Sequence, residues 1–129
     1  MSIGLLGKKI GMTRVFNENG QSIPVTVLKI ETNVVSMVKN IDTHGYSALQ
    51  ISSIEQKESK INKPQLGHFK KNNLSPLRNI KEFRVEDTSE IEVGQKFEAT
   101  HFEEGAYVNV RSRSKGKGFA GTIKRHNFK

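Results

Sequence analysis

Residues 22–31 read SIPVTVLKIE, and this stretch decides the fold. It is dense in β-branched side chains, and Ile23, Val25, Val27 and Lys29 share one parity, the period-two alternation of a half-buried strand. Pro24 has no amide hydrogen to give a ladder, which places it near the strand start or at an edge. Upstream, residues 12–16 alternate loosely and run into Asn17-Glu18-Asn19-Gly20, a turn-forming run that predicts a hairpin. Downstream, Thr32-Asn33 turns the chain into a third run at 34–39, and after His44-Gly45 a fourth spans 46–54. Four short strands joined by turns of a few residues predict an antiparallel meander or a small barrel.

Residues 55–79 change character. They are polar and lysine-rich, with Lys57, Lys60, Lys63, Lys70 and Lys71. Pro64 suits the first turn of a helix, so 64–72 is expected to form a short amphipathic one showing Leu66, Phe69 and Leu74. This reads as an insertion or lid on the β-core, either a second basic surface or a solvated connector. Strand signals return at 80–85, at 93–97 and at 107–110, and 119–128 can make a short helix. The expected organisation is one β-rich domain over 1–129, mostly antiparallel β, with 55–79 as the helical insertion and 111–129 as a basic Gly-rich segment.

Hydrophobic residues make up only 34% of the 129, and tryptophan is absent, so the core must be thin. Zero cysteines exclude disulfides and thiolate metal sites and fit a reducing compartment. The opening MSIGLLGKKIGMTRVF has neither a long apolar run nor signal-peptide architecture. Composition thus points to a soluble intracellular protein with no membrane partner.

The formal net charge is +8, but its distribution says more than its size. Residues 86–104 hold seven acidic side chains against the single Lys96. Residues 111–129, RSRSKGKGFAGTIKRHNFK, hold seven Lys or Arg and no acid. Such segregation gives a polarised field suited to one anionic partner along one edge. The bland alternative is a basic segment that touches nothing specific.

Gly116-Lys117-Gly118-Phe119-Ala120-Gly121 fits the G-x-G-x-x-G dinucleotide pattern on paper. A working site also needs a second parallel strand and an acid about 20 residues on, to hold the ribose. No acid follows Glu104, so a nucleotide cofactor is not expected. The glycines fit a backbone role instead, letting main-chain N–H groups approach phosphate. A helix starting near Phe119 would add its amides to that approach. His44, His68, His101 and His126 are scattered without ligand spacing, and no serine sits in a nucleophile-elbow context. Neither catalytic residues, metal, cofactor nor small-molecule substrate is expected. The opening Gly4–Arg14 repeats the recipe of glycines with cations, here Lys8, Lys9 and Arg14, and is equally a basic first strand or an RNA contact.

These segments together resemble the bacterial-type large-subunit ribosomal protein L-three family. G-L-L-G-K-K-I-G-M-T-R-V-F at 4–16, followed by S-I-P-V-T-V, is similar to that family's amino terminus. The family signature is met by Phe102, Asn109, Ser112, Ser114, Gly116, Lys117, Gly118, Gly121 and Arg125, and K-P-x-x-G-H-F at 63–69 extends the likeness. The resemblance implies a β-barrel of the translation-protein type, without catalysis, that binds large-subunit rRNA early in assembly beside neighbouring ribosomal proteins. Its implied setting is the bacterial cytoplasm or an organelle. By position it implies that Ser112–Arg125 lies against rRNA, with Arg111, Arg113, Lys115, Lys117, Lys124 and Arg125 on phosphates and the glycines permitting close approach. With the cations and rings read from the residues themselves, the expected RNA-contact set is Lys8, Lys9, Arg14, Arg111, Arg113, Ser114, Lys115, Gly116, Lys117, Gly118, Phe119, Gly121, Lys124, Arg125, His126 and Lys129. A free-standing RNA-binding assembly or translation factor is the alternative. Members of the family continue past this point with a loop reaching toward the peptidyl-transferase centre and with barrel-closing strands. Whether this sequence is a fragment or lacks those parts stays open. Either way an incomplete barrel is expected, with an open sheet edge and exposed apolar surface unless RNA or a neighbour covers them.

Overall fold

The computed structural model describes residues 3–128. The hairpin forms as predicted, with β1 (Lys8–Phe16) antiparallel to β2 (Ser22–Lys29). In its turn Gly20 N–H donates to the Asn17 carbonyl at 2.9 Å, and Asn17 N–H donates to the Gln21 carbonyl at 3.1 Å. β1 starts at Lys8 rather than at Met12 because the ladder shifts between Lys9 and Gly11, leaving Ile10 as an extra residue that breaks the alternation. β2 has one ladder neighbour, the edge setting that Pro24 requires.

The meander does not continue across the next turn. β3 (Asn33–Lys39) pairs with β4 (Ala48–Glu55), which pairs with β5 (Leu77–Arg84), while β6 (Lys96–Phe97) adds to the other side of β3. The second sheet is therefore antiparallel, in the order β5-β4-β3-β6, and the hairpin stands as a two-stranded sheet of its own. The separation has a cause: the edge of β3 away from β4 is taken by residues 94–97, where Val35 N–H donates to the Gln95 carbonyl at 2.9 Å and Gly94 N–H donates to the Val35 carbonyl at 2.8 Å. At the corner a side chain holds the chain instead. The fully buried Asn33 side chain donates to the Glu31 carbonyl at 2.7 Å and to the Leu6 carbonyl at 3.1 Å. Its oxygen accepts from Leu6 N–H at 2.8 Å. The Leu6 groups and the Glu31 carbonyl, which lie outside both ladders, are thereby satisfied by one amide. The protein is mostly β, and its two sheets do not close into a barrel.

The larger sheet is covered on both faces. On one side Val35, Leu49, Ile51 and Val85 form the buried cluster, with Ile3, Leu6, Phe83, Ile91 and Phe97 packed against it. Gly4 lies so close to the Phe83 ring that a Cβ there would overlap it. Alternate β4 residues point to the opposite face, which α2 covers. This helix (Lys63–Lys71) falls where Pro64 predicts it and buries Phe69 completely. A second bulge supplies its anchor. Ser36 is the extra residue between the pairs Val35–Ile51 and Met37–Gln50. The Asn72 side chain, just past α2, donates to the Ser36 carbonyl at 2.8 Å. A four-residue helix, α1 (Ile41–His44), links β3 to β4.

Two further expectations are corrected. Residues 107–110 form no strand, because no facing strand completes a ladder, and Tyr107, Val108 and Val110 are exposed. The terminal helix α3 covers only Thr122–His126, so Phe119 lies outside it. The thin core expected from composition is present: the buried hydrophobic side chains among the described residues are Val35, Ala48, Leu49, Ile51, Phe69, Leu77 and Val85. The chain exposes 11082 Å², roughly 60% more than the ~6,900 Å² of a compact protein of its mass.

Candidate nucleic-acid interface

Among the described residues, some cations are paired within the fold and others are left without an ion pair. Three cations of the folded body have carboxylate partners: Lys29 with Glu31 at 3.0 Å, Lys39 with Glu82 at 2.7 Å, and Lys70 with Glu58 at 3.6 Å. The tightest of these sits in a network in which Lys39 Nζ also donates to the Tyr46 hydroxyl at 2.6 Å, and that hydroxyl donates to Glu82 at 2.8 Å. The hydrogen bond to Glu82, then that to Tyr46, raises the Lys39 ammonium above its ordinary value. The bond from Lys39 first, then that from Tyr46, lowers the Glu82 carboxyl against the opposing effect of burial. Lys39 is thereby engaged within the fold.

Among the described residues, no ion pair engages Arg111, Arg113, Lys115, Lys117, Lys124 or Arg125, nor Lys8, Lys9 or Arg14 on β1. All are exposed. Residues 107–121 belong to no helix or strand. Within them Arg111, Arg113, Lys115 and Lys117 recur every second residue, the spacing that puts side chains on one side of an extended chain. Four positive groups within seven residues repel one another, which favours an extended strip.

The glycines of the strip meet no internal demand for space. A Cβ at Gly116, Gly118 or Gly121 would find nothing within 4 Å. Gly118, at φ 71°, is the one whose backbone conformation itself favours glycine. The open space leaves room for an external surface to approach the main chain. Ser114 is exposed beside Lys115, and the His126 ring stacks on Phe128 with centroids 5.8 Å apart. Lys129 lies outside the described residues.

The structure does not join the two sequence-predicted segments: among the described residues no hydrogen bond, ion pair or ring contact links Lys8, Lys9 or Arg14 to 111–126. On β1 the ladder sets Lys8 directly opposite Lys29, a like-charge pair relieved on one side by Glu31. Sequence reasoning missed Tyr107, whose ring is as exposed as that of Phe119. The alternation of Tyr107-Val108-Asn109-Val110 disguised it as a strand residue. Exposed Arg78, Lys81 and Arg84 on the edge strand β5 were also unremarked, with Arg84 lying over the Tyr46 ring at 5.3 Å. Among the described residues no group of three His, Cys, Asp or Glu could hold a metal ion.

Taken together, these features define an open, two-sheet β domain that carries a long unpaired cationic segment outside its core. No model of a known protein family matches the chain. Individual proteins do. It is 51% identical over 128 residues to large ribosomal subunit protein uL3 of Francisella tularensis subsp. novicida, covering 99% of this chain and 61% of that protein. The uL3 protein of Francisella philomiragia subsp. philomiragia is 50% identical over the same span. The resemblance read from the sequence is thereby established: the chain is homologous to the amino-terminal portion of uL3. It spans 61% of the length of the curated relatives it matches.

Proposed function

We propose that this chain is a structural, non-enzymatic constituent of the large ribosomal subunit that binds large-subunit rRNA and supports early subunit assembly. The observation that carries the reading is the strip of exposed, unpaired cations at 111–125, spaced by glycines that leave the backbone open. A polyanion with regularly repeating charge satisfies such a strip, whereas a small substrate would engage only a fraction of it. The place of the uL3 relatives in the large ribosomal subunit, and the large exposed surface of this chain, support the same partner. In this reading Arg111, Arg113, Lys115, Lys117, Lys124 and Arg125 neutralise phosphates. Ser114, Phe119, His126 and the three glycines line the same contact, and Lys8, Lys9 and Arg14 supply a second one. Neighbouring ribosomal proteins cover part of the exposed hairpin, and the protein resides with bacterial ribosomes in the cytoplasm.

The test is the salt dependence of binding to a large-subunit rRNA transcript. If about six phosphates are neutralised, log affinity falls against log salt with a slope near −4 to −5, from roughly 0.7–0.9 per contact. Replacing Lys115, Lys117 and Arg125 together by Ala flattens that slope by about 2–3 and weakens binding across RNA sequences. An affinity nearly independent of salt refutes the proposal.

A further inference from the structure

We infer that the strip holds unpaired nucleotides by stacking, with Tyr107 and Phe119 as the two platforms. The inference rests on the RNA-binding reading and names which RNA the strip takes. Both rings are fully exposed, at 105% and 101% of the reference surface, and neither makes a ring contact with the fold. Other exposed apolar side chains, such as Met12, Phe16 and Val15, lie on the ladder of the β1–β2 hairpin and are one-half to two-thirds exposed. Leaving two aromatic rings wholly in water forgoes the burial that large apolar side chains gain elsewhere.

Their surroundings identify the occupant. Arg111, Arg113, Lys115 and Lys117 lie between the two rings, and Lys124 and Arg125 follow. An aromatic face that docked into an apolar protein pocket would drag these charges into it at a desolvation cost. A nucleobase brings a π-face for the ring and a phosphate for the neighbouring cation at the same moment, the pairing used by grooves for single-stranded nucleic acid. Duplex RNA keeps its bases stacked on one another and offers the strip phosphates alone. Tyr107 and Phe119 are twelve residues apart, so an extended strip separates the platforms by up to about 40 Å. Each ring therefore engages its own base, with a run of phosphates between.

The experiment compares a single-stranded RNA oligonucleotide with an RNA duplex of equal length, by fluorescence anisotropy across a salt series. Tyr107→Ala and Phe119→Ala are expected each to weaken single-strand binding about 5- to 100-fold and duplex binding less than twofold, with the salt slope unchanged. Tyr107→Phe and Phe119→Tyr keep a ring and are expected to restore single-strand affinity. Single-strand binding is expected to quench a tyrosine emission component that Tyr107→Ala lacks. If both alanine variants bind single strands as tightly as the parent while the slope stays near −4 to −5, the stacking inference falls and phosphate binding stands. If alanine weakens single-strand and duplex binding equally, stacking is again refuted, because the rings then act without regard to unpaired bases. If the parent binds neither RNA in a salt-dependent way, the RNA-binding reading itself fails.

Discussion

Replacing Asn33 by Ala is expected to release the amino-terminal segment from the sheet. The amide makes three hydrogen bonds from a fully buried position, at 2.7, 2.8 and 3.1 Å, to backbone groups of Glu31 and Leu6. At a net ~0.5–1.5 kcal/mol each, their loss sums to about 1.5–4.5 kcal/mol. The Leu6 and Glu31 groups are only part-buried, so water recovers some of the loss, and we expect a destabilisation of about 2–3 kcal/mol. That is a large part of the roughly 5–15 kcal/mol that holds a domain of ordinary stability. Urea unfolding measures it as a lower midpoint at unchanged slope, and amide exchange at Leu6 reports the local release. Asn33→Asp sharpens the test. The introduced carboxylate still accepts from Leu6 N–H but sets its second oxygen against two carbonyls. Burial raises its folded pKa, so the variant is least destabilised below its unfolded pKa, and the penalty grows as pH rises through the folded one. An unfolding free energy within about 0.5 kcal/mol of wild type, the scale of a surface substitution, with Leu6 exchange unaltered, refutes the clasp.

Other perturbations probe the two faces of the larger sheet and its ion pair. Phe69→Ala removes the one completely buried side chain of α2 and should cost about 3–5 kcal/mol, read by denaturation together with loss of helical ellipticity. Gly4→Ala forces a methyl group into the Phe83 ring and should cost about 1–3 kcal/mol, whereas Gly116→Ala, in open space, should leave the unfolding midpoint in place. For Glu82→Gln the sign follows from the lowered carboxyl pKa. The contribution of the ionised group is present above its unfolded value of 4.5 and is lost as pH falls through the depressed folded value. Wild type should therefore melt above the variant at neutral pH and converge with it in acid, and a gap that widens on acidification contradicts the Lys39–Glu82 pairing.

Much of this architecture was legible because the signals are local. Alternation of β-branched residues located β2, the Thr32-Asn33 turn signal located the start of β3, Pro64 located α2, and Asn17–Gly20 located the hairpin turn. What escaped was non-local. Whether β2 would pair with β3 depended on residues 94–97 taking that edge of β3, and the hold on the amino-terminal segment depended on Asn33 meeting Leu6, 27 residues away; no window of sequence displays either. The Ser36 bulge, clasped by Asn72, is hidden for the same reason. The strip's charges and glycines were plain from composition, yet period-two spacing without a partner strand made Tyr107-Val108-Asn109-Val110 look regular. The sequence also could not say which lysines were spoken for, since Lys39 differs from Lys117 only in having Glu82 beside it.

The Asn33 corner also has a mechanical meaning. Leu6 precedes β1 and Glu31 follows β2, so both legs of the hairpin are fastened to one side chain on the central strand β3. The hairpin is thus a cantilever. Its nine-residue first strand gives an arm of about 30 Å, clamped at its root by the buried Asn33 amide and by the packing of Ile3 and Leu6 against the core, with the Asn17–Gly20 tip at the far end. A sideways load at that tip arrives at the clamp multiplied by the length of the arm. Whatever grips the exposed side chains along the hairpin therefore stiffens it against bending, and does so most effectively near the tip.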